Sequence, residues 1–198
     1  MAEVKKRILS KATRITLNPW TEGVDGTFTA PASAETAIQL NEIVADSTTI
    51  TREDPTTESI DCETSDTPIT EVTTLGKVTV EMTSANIGDE ILTKCLGFEK
   101  LGDSLIVAPA AHKCQYAVLE VEFQGSKIVV PKLHLDSKID ASSFRSNVVK
   151  GTISGTALDA YVKAKTVEKK TPLFIAALTD VLGTAYTFSE TATATAEA

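Results

Sequence analysis

Aromatic side chains are scarce in this sequence, at 5% of its 198 residues. Basic residues are also outnumbered, by 27 acidic to 19, so the formal net charge is −8 at pH 7. A protein that wraps nucleic acid needs Lys and Arg against phosphates and aromatic rings against bases. The composition therefore argues against nucleic-acid binding. The N-terminal segment contains a basic cluster: Lys5, Lys6, Arg7, Lys11 and Arg14. The scarcity of aromatic residues favours a solvated or partner-bound tail there over an arm that binds nucleic acid or a membrane.

Long apolar runs are missing as well. No stretch approaches the length of a membrane span, and no apolar segment follows the N-terminal residues as it would in a secretory signal. We therefore expect no membrane segment. The three cysteines, Cys62, Cys95 and Cys114, are predicted to be reduced thiols of a protein made in a cytosol, with Cys95 a small core residue.

Catalytic and metal-binding patterns are absent too. The segment 151–155 resembles a nucleophile elbow, but its serine is one place away from G-x-S-x-G. His112 and Cys114 are two apart and His134 is the second histidine of the chain, which leaves a Cys–His pair possible but weakly supported. Paired zinc-ligand spacing and phosphate-binding loops do not occur. We predict a protein that is not an enzyme and that holds no metal or cofactor.

Alternation of apolar and polar residues is the dominant pattern. Residues 117–123 and 127–136 alternate around a short loop at 124–126, where Gly125 supplies an unusual φ. The alternation slips by one residue at Pro131, as at a bulge or an edge kink. Residues 77–82 and 148–158 alternate in the same way, and the 29 threonines suit half-exposed strands. The sequence predicts a mainly β, antiparallel fold whose strands each have one core face and one polar face.

One helix is predicted, over residues 86–97. Asn86 can cap it, Gly97 can end it, and its apolar residues recur at helical spacing. We expect this stripe to pack on the sheet. The stripe comprises Ile87, Ile91, Leu92, Cys95 and Leu96.

A polar segment interrupts the strands at residues 46–70. Between Glu42 and Glu71 there are nine acidic residues and one basic residue, Arg52. Carboxylates in such number could bind a divalent cation, but the spacing of a calcium-binding loop is missing. We favour a projecting loop that reaches a partner, because the segment has little apolar surface to bury.

The remaining chain gives weaker signals. We interpret 1–30 as an irregular N-terminal arm, 31–160 as the β domain and 161–198 as a C-terminal arm with a mobile, low-complexity end. Residues 38–44 favour a strand over a helix, and 172–188 are compatible with either.

Several of these features together resemble the major tail tube proteins of long-tailed bacteriophages, of the siphovirus and myovirus kinds. The resemblance covers roughly residues 35–160. Its elements are the Arg-Glu-Asp-Pro loop at 52–55 with Glu58 and Glu63 after it, the helix at 86–97, and the strand 143–159 that ends in Thr-Ala-Leu-Asp. It implies an antiparallel β-sandwich or barrel-forming tail-tube fold with one flanking α-helix. It also implies hexameric rings whose sheets join around a lumen and which stack into a tube.

From this resemblance we expect a structural virion protein, assembled in the host cytoplasm, that contacts other tail proteins. DNA would pass through its lumen during ejection without specific binding. The lumen candidates are the polar faces of four strands, with Glu120 and Glu122 repelling the phosphates: Lys77, Thr79, Glu81, Glu120, Glu122, Lys132, His134, Asp136, Lys150, Thr152, Ser154 and Thr156. The candidates for contacts between subunits are Arg52, Glu53, Asp54, Pro55, Glu58 and Glu63.

Two other functions fit the same pattern. The polar faces could meet outside solvent on a virion or cell-surface β-sandwich that displays segment 46–70 to a receptor. A hydrolase built on a β-sandwich is a third reading, with less support.

Overall fold

The computed structural model describes residues 12–44, 47–62, 65–84, 87–102, 105–107, 115–139 and 151–191. Antiparallel strands dominate these residues, which confirms the mainly β prediction. The strands are β1 (Arg14–Pro19), β2 (Thr21–Glu22), β3 (Phe28–Thr29), β4 (Ile38–Leu40), β5 (Thr49–Arg52), β6 (Thr56–Cys62), β7 (Ser65–Thr74), β8 (Val78–Ser84), β9 (Glu99–Leu101), β10 (Leu105–Val107), β11 (Tyr116–Phe123), β12 (Ser126–Ile139), β13 (Gly151–Leu158), β14 (Ala160–Ala164), β15 (Val167–Thr171), β16 (Phe174–Ala177) and β17 (Thr187–Ser189).

Eight strands form one large sheet in the order β4-β1-β11-β12-β13-β8-β5, with β16 beside β12. The sheet curves, because the segment after β4 reaches back to β8 through a bridge between Ile43 and Ser84. Leu40 and Ile50, from the two ends of the strand order, accordingly contact one hydrophobic core. Strands β4 and β5 do not pair with each other in the described part of the chain, so the barrel is not closed.

The long strand β12 connects the two halves of this sheet, and its pairing partner changes at Pro131. Residues Ser126–Val129 pair with β16, whereas residues from Lys132 onward pair with β13. On the other side of β12, Leu119 pairs with Val130 and Ala117 with Leu133, so β12 has one extra residue between these pairs. A proline fits there because it has no N–H to donate to a ladder. The predicted slip in alternation at Pro131 is therefore confirmed as a bulge.

The two faces of the sheet are covered differently. The larger hydrophobic core lies on one face and contains fully buried side chains such as Leu17, Met82 and Leu119. A smaller core on the opposite face joins Val118 and Val129 to Trp20, Tyr186 and other residues. Its outer wall is the C-terminal layer, the three-stranded sheet in the order β15-β14-β17. The chain thus folds as a curved sheet with a second sheet packed on part of one face.

Both terminal segments differ from their predicted form. Strand β1 lies inside the large sheet between β4 and β11, although residues 1–30 were predicted to be irregular. Ile15 and Leu17 are buried there while turn-forming residues flank them, and those turns dominated the sequence pattern. Residues 161–191 likewise form β14 to β17 rather than an arm, and 172–188 contain strands. The end predicted to be mobile is residues 189–198; Ser189 ends β17, and 192–198 lie outside the described residues.

The helical prediction is correct in position and wrong in type and length. A helical segment covers residues 89–95, and Ile91–Cys95 is a π-helix, with Leu96 donating its N–H to Ile91 O at 3.0 Å. Asn86, the predicted cap, is outside the described residues. Ile91, Cys95 and Leu96 nevertheless pack in the larger core as expected. The wider turn aligns apolar residues spaced by four and five positions, since the five-residue bond winds the backbone more loosely.

Candidate functional site

The uncovered half of the sheet presents a continuous polar surface. It is formed by the second half of β12 and by β13, β8 and β5, which are neighbours in that order. Their opposite faces contribute Leu135, Ile153 and Val80 to the larger core. The smaller core contains no residue of β5, β8 or β13. Alternation therefore points the remaining side chains of these strands away from the larger core. At β12 they border the smaller core, where the His134 ring centre lies 5.4 Å from that of Tyr116.

Strand register places these polar side chains in rows across the sheet. One row joins His134, Thr156, Thr79 and Thr51, and the next joins Asp136, Ser154, Glu81 and Thr49. Directly paired residues share a face and lie about 5 Å apart. A third row joins Lys138, Thr152 and Thr83, and the hydroxyl oxygens of the two threonines are 3.5 Å apart. We define the open polar face as the ten residues of these rows other than Lys138, which lies near the end of β12.

The charge of the open polar face is negative. Glu81 and Asp136 are its carboxylates, His134 is its only other titratable side chain, and none of its ten residues is Lys or Arg. All ten side chains are exposed or half-buried. The seven hydroxyl residues leave the surface hydrated without adding positive charge. The face can therefore meet a polyanion without binding it.

Seven of the twelve lumen candidates lie on this face, and the other five do not. The seven are Thr79, Glu81, His134, Asp136, Thr152, Ser154 and Thr156. Lys77 is exposed just before β8. Lys150 lies outside the described residues. Glu120, Glu122 and Lys132 belong to the part of the sheet that carries the smaller core and its borders.

Glu120 takes part in a buried ionic cluster beneath the C-terminal layer. Its carboxylate accepts a hydrogen bond from Lys127 Nζ at 2.9 Å and another from Tyr186 Oη at 2.6 Å. The Lys127 and Glu120 side chains are only 5% and 14% exposed. Burial, and next the hydrogen bond to Glu120, raise the pKa of Tyr186 above its ordinary value. These contacts give Glu120 an internal role that its alternation with Val121 did not predict.

Lys132 lies in a second ionic contact at the border of the smaller core. Its ammonium group lies 4.3 Å from the ring centre of Tyr116 and 5.1 Å from that of Trp20. Glu190 pairs with the same ammonium group. Cation–π contacts of this kind stabilise a partly desolvated lysine. Lys132 therefore attaches the end of the C-terminal layer to β12.

Glu122, on β11 near this region, faces β1. Its carboxylate lies 3.8 Å from Arg14 on the neighbouring strand, and both side chains are partly exposed. An exposed pair of this length contributes little to stability. Glu122 is therefore a peripheral polar residue outside the open polar face, since it pairs with Lys127 in the first half of β12.

The polar segment after β5 forms a hairpin. Strands β6 and β7 pair only with each other among the described strands, with Thr57 and Thr73 hydroxyls 3.1 Å apart. Arg52 ends β5, and Glu53, Asp54 and Pro55 form the exposed connection to β6. Glu58 lies in β6, and Glu63 is outside the described residues. The predicted projecting loop is thus largely regular strand, although its sequence has few apolar residues.

Chemical sites are not apparent in the described residues. Within them no group of three or more His, Cys, Asp and Glu is arranged to hold a metal ion. Burial raises the pKa of the Cys95 thiol to about 12, so this cysteine is a neutral core side chain, as predicted. No helix among the described residues has the length and apolar character of a membrane span.

Lys127 and Tyr186 are the important residues that sequence reasoning missed. Lys127 was interpreted as the polar start of a strand, and Tyr186 lay in a segment of undecided structure. The alternation pattern did contain a signal for their contact, because it places Lys127 and Glu120 on one face of the sheet, opposite Leu119 and Ile128.

A comparison with known protein families and a search of curated proteins each found no match for this chain.

Proposed function

We propose that this chain is the subunit of a bacteriophage tail tube. In this proposal, homo-oligomeric rings, hexameric by the resemblance described above, stack into a tube that conducts DNA into the host cell. The tube would be a virion component assembled in the host cytoplasm with other tail proteins. The observation that carries the proposal is the open polar face, which spans four neighbouring strands. Its ten residues include two carboxylates and no Lys or Arg, and Lys138 pairs with Thr152 at its border.

The physical requirement for a DNA conduit is weak interaction with phosphate. A lining with Lys or Arg would release counterions on contact and bind the passing DNA. Glu81 and Asp136, repeated around a ring, would create a negative potential that keeps phosphates off the wall. The threonine hydroxyls between them would hold water at the surface. In this account the repulsive role that was first given to Glu120 and Glu122 belongs to Glu81 and Asp136.

The edges of the large sheet support assembly into rings. Strands β4 and β5 terminate the strand order, so the backbone groups along one edge of each pair with no other described strand. Exposed strand edges pair readily with other chains. Pairing between subunits would satisfy these groups and continue the polar face around a lumen. Ring-to-ring contacts of the head-to-tail kind then repeat without closing and give a filament.

Sedimentation velocity over a concentration series tests the proposal. We expect a ring species that grows into much larger particles as the concentration rises. A single monomer boundary at every concentration would rule the tube out. That result would favour the second candidate, a surface β-sandwich that displays the β6–β7 hairpin to a receptor. The observation behind this alternative is that the hairpin pairs with no other described strand.

The lumen assignment predicts the effect of reversing two charges. The variant Glu81→Lys/Asp136→Lys should still assemble, because both side chains are on the surface. Its tubes should retain short double-stranded DNA, and the retention should fall steeply as salt rises from 50 to 200 mM, as phosphate contacts do. Filter binding of labelled DNA to purified tubes measures this. The matched control is Glu90→Lys/Glu99→Lys, which changes the net charge equally at exposed residues outside the face. Equal retention by both variants would contradict the assignment.

A further inference from the structure

Charge is strongly segregated along this acidic chain. Residues 56–74, which form the β6–β7 hairpin, carry five acidic residues and no lysine or arginine. Residues 160–171, which form the β14–β15 hairpin, carry four lysines and one glutamate. These lysines are Lys163, Lys165, Lys169 and Lys170, and all four are exposed. Two hairpins of the same chain thus have opposite charge.

The basic hairpin also has an open edge. Strand β15 is the outermost strand of the C-terminal layer and pairs only with β14 in the described part of the chain. Its outer edge therefore pairs with no other described strand. Lys170 forms an ion pair with Asp159 at 3.9 Å, and this pair is half exposed and weak. Lys169 projects from the same strand. The edge combines backbone hydrogen-bonding groups with positive charge, which suits an acidic strand.

The fold separates the two hairpins within one copy. The acidic hairpin follows β5, at one end of the large sheet. The C-terminal layer packs on Val118 of β11 and Val129 of β12, and β13 and β8 lie between β12 and β5. A contact between two copies brings opposite charges together without rearranging either. Such a contact joins two different surfaces of the same chain, so it is head-to-tail and repeats without closing.

We propose that the β15 edge binds the acidic β6–β7 hairpin of a second copy of this chain. The hairpin adds a strand beside β15, and Lys169 and Lys170 pair with its carboxylates. Backbone hydrogen bonds supply affinity in strand addition, and complementary charge selects the partner and orientation. This inference rests on the proposed function, since it names the surface through which successive rings would adhere.

Charge reversal on each side of the contact tests the inference. The basic-side variant is Lys169→Glu/Lys170→Glu, and the acidic-side variant is Glu58→Lys/Glu71→Lys, with one substitution in each strand of the hairpin. Each alone should raise the concentration needed for half-maximal assembly by roughly tenfold or more, because like charges then face each other. A chain carrying all four substitutions should recover assembly, as should an equimolar mixture of the two variants. The control Lys94→Glu/Lys100→Glu changes the net charge by the same amount at other exposed lysines and should assemble normally.

The outcomes separate this inference from the function on which it depends. If the unaltered chain and both charge-reversal variants assemble equally well, the proposed contact between the hairpins is wrong, and the proposed tube function is unaffected. If the reversals block assembly and the four-fold variant does not restore it, the pairing of these two hairpins is also wrong. If the chain without any substitution stays monomeric, both the proposed tube function and the proposed contact are contradicted. Circular dichroism of each variant checks that the strands are intact, and weaker assembly of the unaltered chain at high salt supports the contact independently.

Discussion

Removal of the β6–β7 hairpin should leave a folded chain that no longer forms tubes. The structure indicates how to remove it cleanly, because the Glu53 N–H donates to Lys77 O at 2.9 Å and Arg52 pairs with Val78. An Asn-Gly turn in place of residues 55–75 would join β5 directly to β8 as a two-residue hairpin. Within the described part of the chain, no residue of the deleted segment belongs to the large sheet, and none whose side chain is described belongs to either hydrophobic core.

The expected result follows from the position of the hairpin. The shortened chain should unfold cooperatively, with a free energy of unfolding within about 1 kcal/mol of the original, since closing a shorter loop changes the entropy little. Sedimentation should show no particles larger than single rings at concentrations where the full chain forms tubes. Thr57→Ala, which removes the hydroxyl contact to Thr73 but keeps the hairpin, is the control and should assemble. Normal tubes from the shortened chain would show that the hairpin has no part in stacking.

Lys127→Met should strongly destabilise the monomer. The substitution leaves the Glu120 carboxylate under the C-terminal layer without its cation, and Lys127 itself is only 4% exposed. Removing one partner of a buried ion pair costs about 3–5 kcal/mol. We expect about 3 kcal/mol, at the lower end, because Glu120 keeps the hydrogen bond from Tyr186 and some contact with solvent. Urea unfolding followed by tryptophan fluorescence suits this measurement, since Trp20 packs in the same core.

Two further variants isolate the ionic contribution. Adding Glu120→Gln to Lys127→Met removes the unpaired charge and should recover most of the lost stability, because a neutral amide can still accept from Tyr186. Lys94→Met breaks an exposed pair with Glu90 and should change stability by less than about 1 kcal/mol. If Lys127→Met is no more destabilising than Lys94→Met, the cluster does not hold the C-terminal layer to the sheet.

The strands of the sheet could be predicted from the sequence where one face of a strand is buried and the other is exposed to solvent. In β8 and β13 strict alternation produced the right faces, and the bulge at Pro131 was visible because it shifted that alternation by one residue. These strands depend mainly on the pattern of their own residues. Seven of the ten residues of the open polar face were predicted to lie on a polar strand face for the same reason.

The remaining parts depend on tertiary contacts that a single strand does not reveal. The alternation in β11 correctly placed Glu120 on the face opposite the larger core. That face is covered by a layer from residues 160–189, which are distant in the sequence. Strand β1 was missed because it is short and flanked by turn-forming residues, although pairing with β11 and β4 buries it. The length and winding of the helical segment likewise follow from its packing in the core.

Electron microscopy of the purified, concentrated chain tests the central claim most directly. The account predicts stacked rings in tubes of uniform diameter with an open bore. At higher resolution, Thr79, Glu81, Asp136 and Ser154 should line that bore, and β15 should lie at the contact between successive rings. Monodisperse single subunits at every concentration, or tubes whose outer surface carries these four residues, would contradict it.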